Sequence, residues 1–312
     1  MRRIFYLDNI KFFAVISIVC MHVYETMYPE TCISLQIIGR LGVPLFSMVT
    51  GVLMLPRDYT KETLIKYYKR TYLPLLITTE IWILFWAWYC KLDLGKTINC
   101  VFLIENPCPT MWYARMICRL YLLLPFFCII IHRFKFLSLL GMFGVFILYS
   151  NFYSIDFAWI LEKCHLVDTY FILYFFYMYI GYKLMNIKYN KIFLICLVLS
   201  IVAIYLCLSY YKAQLWYNSP LLVVMSIFVF HIVKQYFTKQ DGTMCIISQR
   251  SYGIYLSHMI FVMLLVKCGM TIPQGHTYLV PIVSCIVVVI SSFMIGIVEM
   301  FAPKMSKHLF RL

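Results

Sequence analysis

Charge is scarce in this chain, and acid is scarcest: 13% of its 312 residues are charged, with 13 Asp and Glu against 27 Lys and Arg. A soluble domain carries about 25% charged and about 45–50% apolar residues. Here 63% are hydrophobic and the mean hydropathy is +0.84. A water-soluble fold of this size cannot hide so much apolar surface, because much of any folded domain stays wet. No polar stretch is long enough for a soluble domain, so the expectation is one membrane domain over 1–312. Neither CxxC nor HExxH occurs, and no metal is expected. The net charge of +14 lies in short clusters between apolar runs rather than on one stripe, which argues against nucleic acid.

Thirteen cysteines are present, but most, such as Cys20, Cys118, Cys128, Cys196, Cys207 and Cys285, sit inside apolar runs. There cysteine behaves as a small hydrophobe. Cys100 and Cys108 share one loop, with no spacing rule to pair them. The start, Met1-Arg2-Arg3 before an apolar run, resembles a signal peptide. No small-residue cleavage site follows, and His22 interrupts the run before Glu25 and Glu30, so a retained first span is expected.

The runs are continuously apolar without period-2 alternation, which selects helices over a barrel. Spans are expected near 10–29, 34–55, 72–90, 112–131, 136–152, 169–186, 192–209, 217–234, 251–268 and 278–301. This is an all-α, polytopic transmembrane bundle of about ten spans with both termini cytoplasmic. Charge supports the map. With the N-terminus inside, eighteen Lys and Arg fall on the inner side and five on the outer, a strong positive-inside bias.

Four cations remain, Lys11, Arg40, Arg115 and Arg119, within or at the edge of spans one, two and four. A cation in hydrocarbon costs at least about 2.5–3.5 kcal/mol, so it faces a cavity or a partner unless it snorkels to the headgroups. Snorkelling suits Lys11 near the inner boundary, and Arg40 and Arg115 near the outer one. Arg119 is two turns into its helix and is expected to face an internal polar cavity, with Glu80 as counter-charge. Arg115 and Arg119 are i, i+4 on one face with Trp112, a set that suits a carboxylate, phosphate or sugar ring.

Lys11 and His22 are eleven positions apart, about 20° off a common face, with Asp8 on the same stripe. An imidazole at that depth serves either as a general base or as a hydrogen-bonding packing group. Lys61 to Arg70, with Lys66, Lys69 and Arg70, is a basic amphipathic segment fit for anionic headgroups or a phosphate-bearing cofactor. His258, with Tyr255 at i−3, is expected to serve helix packing.

Four blocks resemble the acyltransferase family 3 of integral membrane O-acyltransferases. The first is Leu7-Asp8 with Lys11 and, ten residues between, His22. The second is Gly42-Val43-Pro44-Leu45-Phe46 followed by Thr50-Gly51, where the family usually shows Ser-Gly. The third runs from Met111-Trp112-Tyr113 to Leu120-Tyr121-Leu122-Leu123-Leu124-Pro125. The fourth is Ser251-Tyr252-Gly253-Ile254-Tyr255-Leu256-Ser257-His258. Lys11 stands where many members have Arg; members with an appended extracytoplasmic hydrolase-like domain are much longer, so this chain is expected to act alone or to hand on to a partner.

The resemblance implies transfer of an acyl group, most often acetyl from cytosolic acetyl-CoA, to a hydroxyl of a glycan or glycolipid outside. It places the chain in the plasma membrane of a bacterium, with membrane lipids and glycan-assembly enzymes as partners. His22 and Lys11 would be catalytic, and Lys11, Lys66, Lys69 and Arg70 would hold the CoA phosphates. Arg40, Trp112, Arg115 and Arg119 would bind the acceptor, while Asp8, Tyr255 and His258 would be structural. The alternative reading is a transporter or flippase of an anionic or lipid-linked sugar, which should show inverted-repeat symmetry; no matching pair of broken helices is visible.

Overall fold

The first apolar run ends before Pro29, and the helix α1, Phe5–Met27, fills 23 residues of it. At ~1.5 Å per residue it reaches about 34 Å, enough for a hydrocarbon core of about 30 Å. The computed structural model describes residues 4–134, 141, 144, 170–188, 191–210, 216–239 and 242–310. Every regular element among them is helical. α2 (Ile33–Arg40) and α3 (Gly42–Met54) are nearly continuous, and α4 (Lys61–Tyr67) passes through a π-helical turn (Tyr68–Tyr72) into α5 (Leu73–Tyr89). Next come α6 (Leu94–Val101), a 3-10 turn (Pro109–Met111) and α7 (Trp112–Arg133). The chain continues with α8 (Tyr170–Asn186), α9 (Lys191–Tyr210), α10 (Pro220–Tyr236) and α11 (Gly242–Gln249). It closes with α12 (Ser251–Lys267), α13 (Leu279–Phe301) and α14 (Pro303–Phe310).

Five helical stretches, 5–27, 33–54, 61–89, 109–133 and 279–301, are long and apolar enough to cross a membrane, and shorter apolar helices accompany them. Helices occupy nine of the ten segments expected as spans. The remaining segment, 136–152, is largely outside the described residues.

The core forms around α1, which packs on α2, α3, α10, α11, α12 and α13. Small residues set how closely its neighbours meet. A Cβ at Gly51 of α3 would strike the Met178 carbonyl of α8, and one at Gly181 of α8 would strike the Met48 carbonyl of α3. The two glycines therefore let these helices pack backbone to backbone. Between α2 and α3, Pro44 has no N–H to offer the Arg40 carbonyl, and the helix breaks there.

Pro125 makes the same subtraction inside α7, where it deprives the Tyr121 carbonyl of its helical donor. The hydroxyl of Tyr67 donates to that carbonyl at 2.7 Å, and the hydroxyl of Tyr68 donates to the Leu122 carbonyl at 2.8 Å. The π-helical turn begins at Tyr68, so α4 widens where it must serve two consecutive carbonyls of α7. At the C-terminus of α8, Lys234 Nζ donates to the carbonyls of Leu184, Met185 and Ile187 at 2.7–2.8 Å. These are helix-end acceptors, and a cation complements them.

Tyr67 is buried, and removing its hydroxyl leaves an acceptor with no solvent to turn to. The Tyr67→Phe protein is expected to lose about 1–3 kcal/mol of stability, read as a lower melting temperature in detergent. Tyr68→Phe, at a half-buried site, should lose less. Equal melting temperatures for Tyr67→Phe and the parent protein would refute this role.

Candidate functional site

Near the C-terminal end of α1, that helix, α2, α7, α12 and the connections flanking α6 enclose a cavity of about 780 Å³. His22, Arg40, Trp112, Arg115, Arg119 and Tyr255 all line it. They come from separate blocks of sequence, and the helix packing brings them around one cavity.

His22 stands five residues before the end of α1. Its Nδ1 lies 3.8 Å from Glu25 Oε2, one turn on. Its ring faces that of His258 on α12, with centroids 5.1 Å apart and planes tilted by 32°. His258 is fully buried, and its Nδ1 is 2.6 Å from the Tyr255 carbonyl. A carbonyl only accepts, so Nδ1 carries the proton and Nε2 is the bare nitrogen. That Nε2 is buried without a hydrogen-bond partner. The Tyr255 hydroxyl donates to the Thr110 carbonyl at 2.6 Å and accepts from the Ala114 N–H at 3.1 Å. It thereby satisfies a first-turn N–H of α7, one of the donors that a helix start leaves open. Tyr255 and His258 are both buried, and the His258 ring lies against that of His22.

Arg40, at the C-terminus of α2, lays its guanidinium over the rings of Trp216, at 4.9 Å, and Tyr217, at 5.6 Å. Its Nη2 is 4.0 Å from Glu25 Oε1, and its side chain is 13% exposed. It therefore points inward rather than snorkelling. Trp112 packs its ring on those of Tyr174 and Tyr217.

Arg115 donates to the Ile104 carbonyl and Arg119 to the Leu103 carbonyl. Leu103 adopts φ 59°, a left-handed backbone that a branched side chain resists. Two guanidiniums on consecutive carbonyls hold that turn in place. Arg119 lines the cavity, and its counter-charge is a correction: no ion pair joins it to Glu80 among the described residues, and Glu80 Oε2 is buried without a hydrogen-bond partner. The α5 and α7 faces do not bring the two groups together, and Arg119 donates to the Leu103 carbonyl. Cys100 and Cys108 are free thiols.

Lys11 is not part of the cavity wall. Its Nζ is 3.3 Å from Asp8 Oδ1, and its side chain is 26% exposed. Asp8 accepts from Ser248 Oγ at 2.9 Å, and Asn9 Nδ2 donates to the Phe237 carbonyl at 2.6 Å. This stretch fastens the start of α1 to α11 and to the α10–α11 connection. Lys66, Lys69 and Arg70 are exposed on α4 and the π turn, also away from the cavity. Sequence reasoning overlooked Glu25 as a site residue, together with Trp216, Tyr217 and Tyr174. Glu25 was legible, three residues after His22; the aromatic residues lie beyond the stretches that carry motifs.

If the arginines hold the turn at 103–104, replacing both Arg115 and Arg119 with Leu should raise amide hydrogen exchange over residues 100–106 at least about tenfold, as expected for local opening of a loop. Exchange in α1 should stay as in the parent protein. Unchanged protection at 100–106 would rule out the anchoring role.

Among known proteins, a family model described as an acyltransferase domain matches residues 4–298. No curated protein and no solved structure matches the chain significantly. Since that match covers nearly all of an apolar, all-helical chain, the protein belongs to the acyltransferase 3 family and is a multi-pass membrane protein.

Proposed function

We propose that the protein is a membrane O-acyltransferase that moves an acyl group, acetyl in the first instance, from cytosolic acyl-CoA to a hydroxyl of an extracytoplasmic glycan or glycolipid. One observation carries this reading: in a chain of an acyltransferase family, a histidine lines a cavity that also holds three guanidiniums and an aromatic wall. The charge bias supports about ten spans with both termini cytoplasmic, so the cavity would open outward, and the family resemblance points to the plasma membrane of a bacterium.

His22 Nε2 would take the proton of the acceptor hydroxyl as its oxygen attacks the thioester carbonyl. The new C–O bond forms, the C–S bond breaks, and the imidazolium returns its proton to the departing CoA thiolate. Glu25 near Nδ1 and the ring of His258 would hold the imidazole in position. Alternatively His22 would carry the acyl group itself, a route that leaves a trappable acyl-enzyme. Lys11 would act by charge on the donor side, and Lys66, Lys69 and Arg70 would meet the CoA phosphates or anionic headgroups at the inner surface.

Replacing His22 with Ala should lower transfer at least about a hundredfold, the scale of losing a general base, with the melting temperature kept. A folded His22→Ala protein that transfers at the parental rate would sink the assignment. Lys11→Arg should keep most activity, whereas Lys11→Ala should raise the KM for acyl-CoA; a change confined to acceptor affinity would contradict the donor role.

A further inference from the structure

Arg40 is held in an unusual way. Its guanidinium carbon lies 4.9 Å from the ring centroid of Trp216 and 5.6 Å from that of Tyr217, cation–π contacts that use none of its N–H donors. Its Nε is buried and has no hydrogen-bond partner. Glu25 is 4.0 Å from Nη2, too far for a hydrogen bond. A buried donor without an acceptor costs about 1–3 kcal/mol, and in a native cavity it calls for a ligand. The edge presented by Nε and an Nη is the fork that receives two oxygens of one oxyanion.

The surroundings narrow the class. Arg115 and Arg119 each give a donor to the Ile104 and Leu103 carbonyls, and among the described residues Arg40 is the cavity arginine whose Nε is buried without a hydrogen-bond partner. Trp112 and Tyr217 lie against each other beside it, with centroids 5.3 Å apart, and both line the cavity. Aromatic faces of this kind receive the C–H face of a pyranose, and Glu25 offers a carboxylate to its hydroxyls. About 780 Å³ is room for more than one sugar ring.

We propose that this cavity selects an acidic sugar, whose ring carboxylate is received by the Nε edge of Arg40 while the ring lies along Trp112 and Tyr217. The inference rests on the acyl-transfer reading for the identity of the ligand as acceptor, but not for its binding. A phosphate is the same kind of acceptor for Arg40, and CoA supplies one. In the proposed mechanism the CoA phosphates lie toward the Lys11 end of α1, about 16 Å from His22 by helix rise, so the carboxylate of the acceptor is the occupant.

Calorimetric titration of the purified full chain in nanodiscs, without acyl donor, tests this apart from catalysis. The probes are trigalacturonate, its neutral counterpart galactotriose, and CoA. Trigalacturonate should bind at least about tenfold more tightly than galactotriose, the scale of one charge-assisted hydrogen-bonded pair. Arg40→Gln should abolish that preference, and Arg40→Lys should not restore it, because an ammonium lacks the fork. If Arg40→Gln fails to fold, Trp216→Leu, at a half-exposed position, should weaken trigalacturonate binding while leaving the melting temperature unchanged. Equal affinity for the acidic and neutral sugars, no binding of either, or displacement of trigalacturonate from Arg40 by CoA would each overturn the proposal. A protein that binds trigalacturonate as described yet transfers no acyl group would keep the site and reject only the enzyme reading.

Discussion

With hydrocarbon as solvent, each backbone N–H and C=O must find its partner inside the protein, and an unmet group costs several kcal/mol. This constraint organises the bundle. Pro125 removes one donor from α7, and the compensation comes from Tyr67, on a helix that opens into a π turn at the next residue. At the end of α8, three carbonyls converge on Lys234. The buried hydroxyls of Ser47, Thr79, Ser226, Ser257 and Ser284 each donate to the carbonyl four residues back, so that no polar atom of theirs is left in the apolar interior. Such back-bonding is the ordinary solution for Ser and Thr in membrane helices.

The same rule governs the cavity. Its cations are costly in an apolar surround, and each has a compensation of a different kind. Arg115 and Arg119 use the carbonyls of a left-handed turn. Arg40 uses two aromatic faces and a distant carboxylate. The two compensations have different consequences. Carbonyl hydrogen bonds tie Arg115 and Arg119 to the 103–104 turn, whereas the ring contacts of Arg40 use none of its N–H donors. His22 gains its setting from a similar chain: the Tyr255 hydroxyl binds the start of α7, the Tyr255 carbonyl fixes the proton of His258 on Nδ1, and the His258 ring meets His22.

Much of the fold was legible because lipid demands long apolar runs, and such runs are visible without structure. The helices α1, α7 and α13 begin or end within a few residues of the spans expected from hydropathy. The cavity residues were legible for a related reason, since a histidine or an arginine inside an apolar run needs an explanation. What each arginine touches was not legible. The hydrogen bond from Arg119 to the Leu103 carbonyl was not legible, because the left-handed turn at Leu103 cannot be read from composition. Trp216 and Tyr217 stand at the edge of the span expected at 217–234, where an aromatic pair looks the same whether it anchors the helix or lies against Arg40. Lys11 and His22 share a stripe of α1, yet only His22 reaches the cavity; periodicity fixes direction around a helix but not what lies opposite at each depth.

The central claim is that this cavity performs acyl transfer rather than passage of an anion. Purified protein reconstituted in sealed vesicles, with acetyl-CoA on the inner side and a glycan acceptor on the outer, separates the two in one measurement of free thiol. The account predicts that CoA thiol appears inside in step with acetylated glycan outside, and that both depend on His22. Movement of sugar or CoA across the vesicle wall with the thioester intact would contradict it.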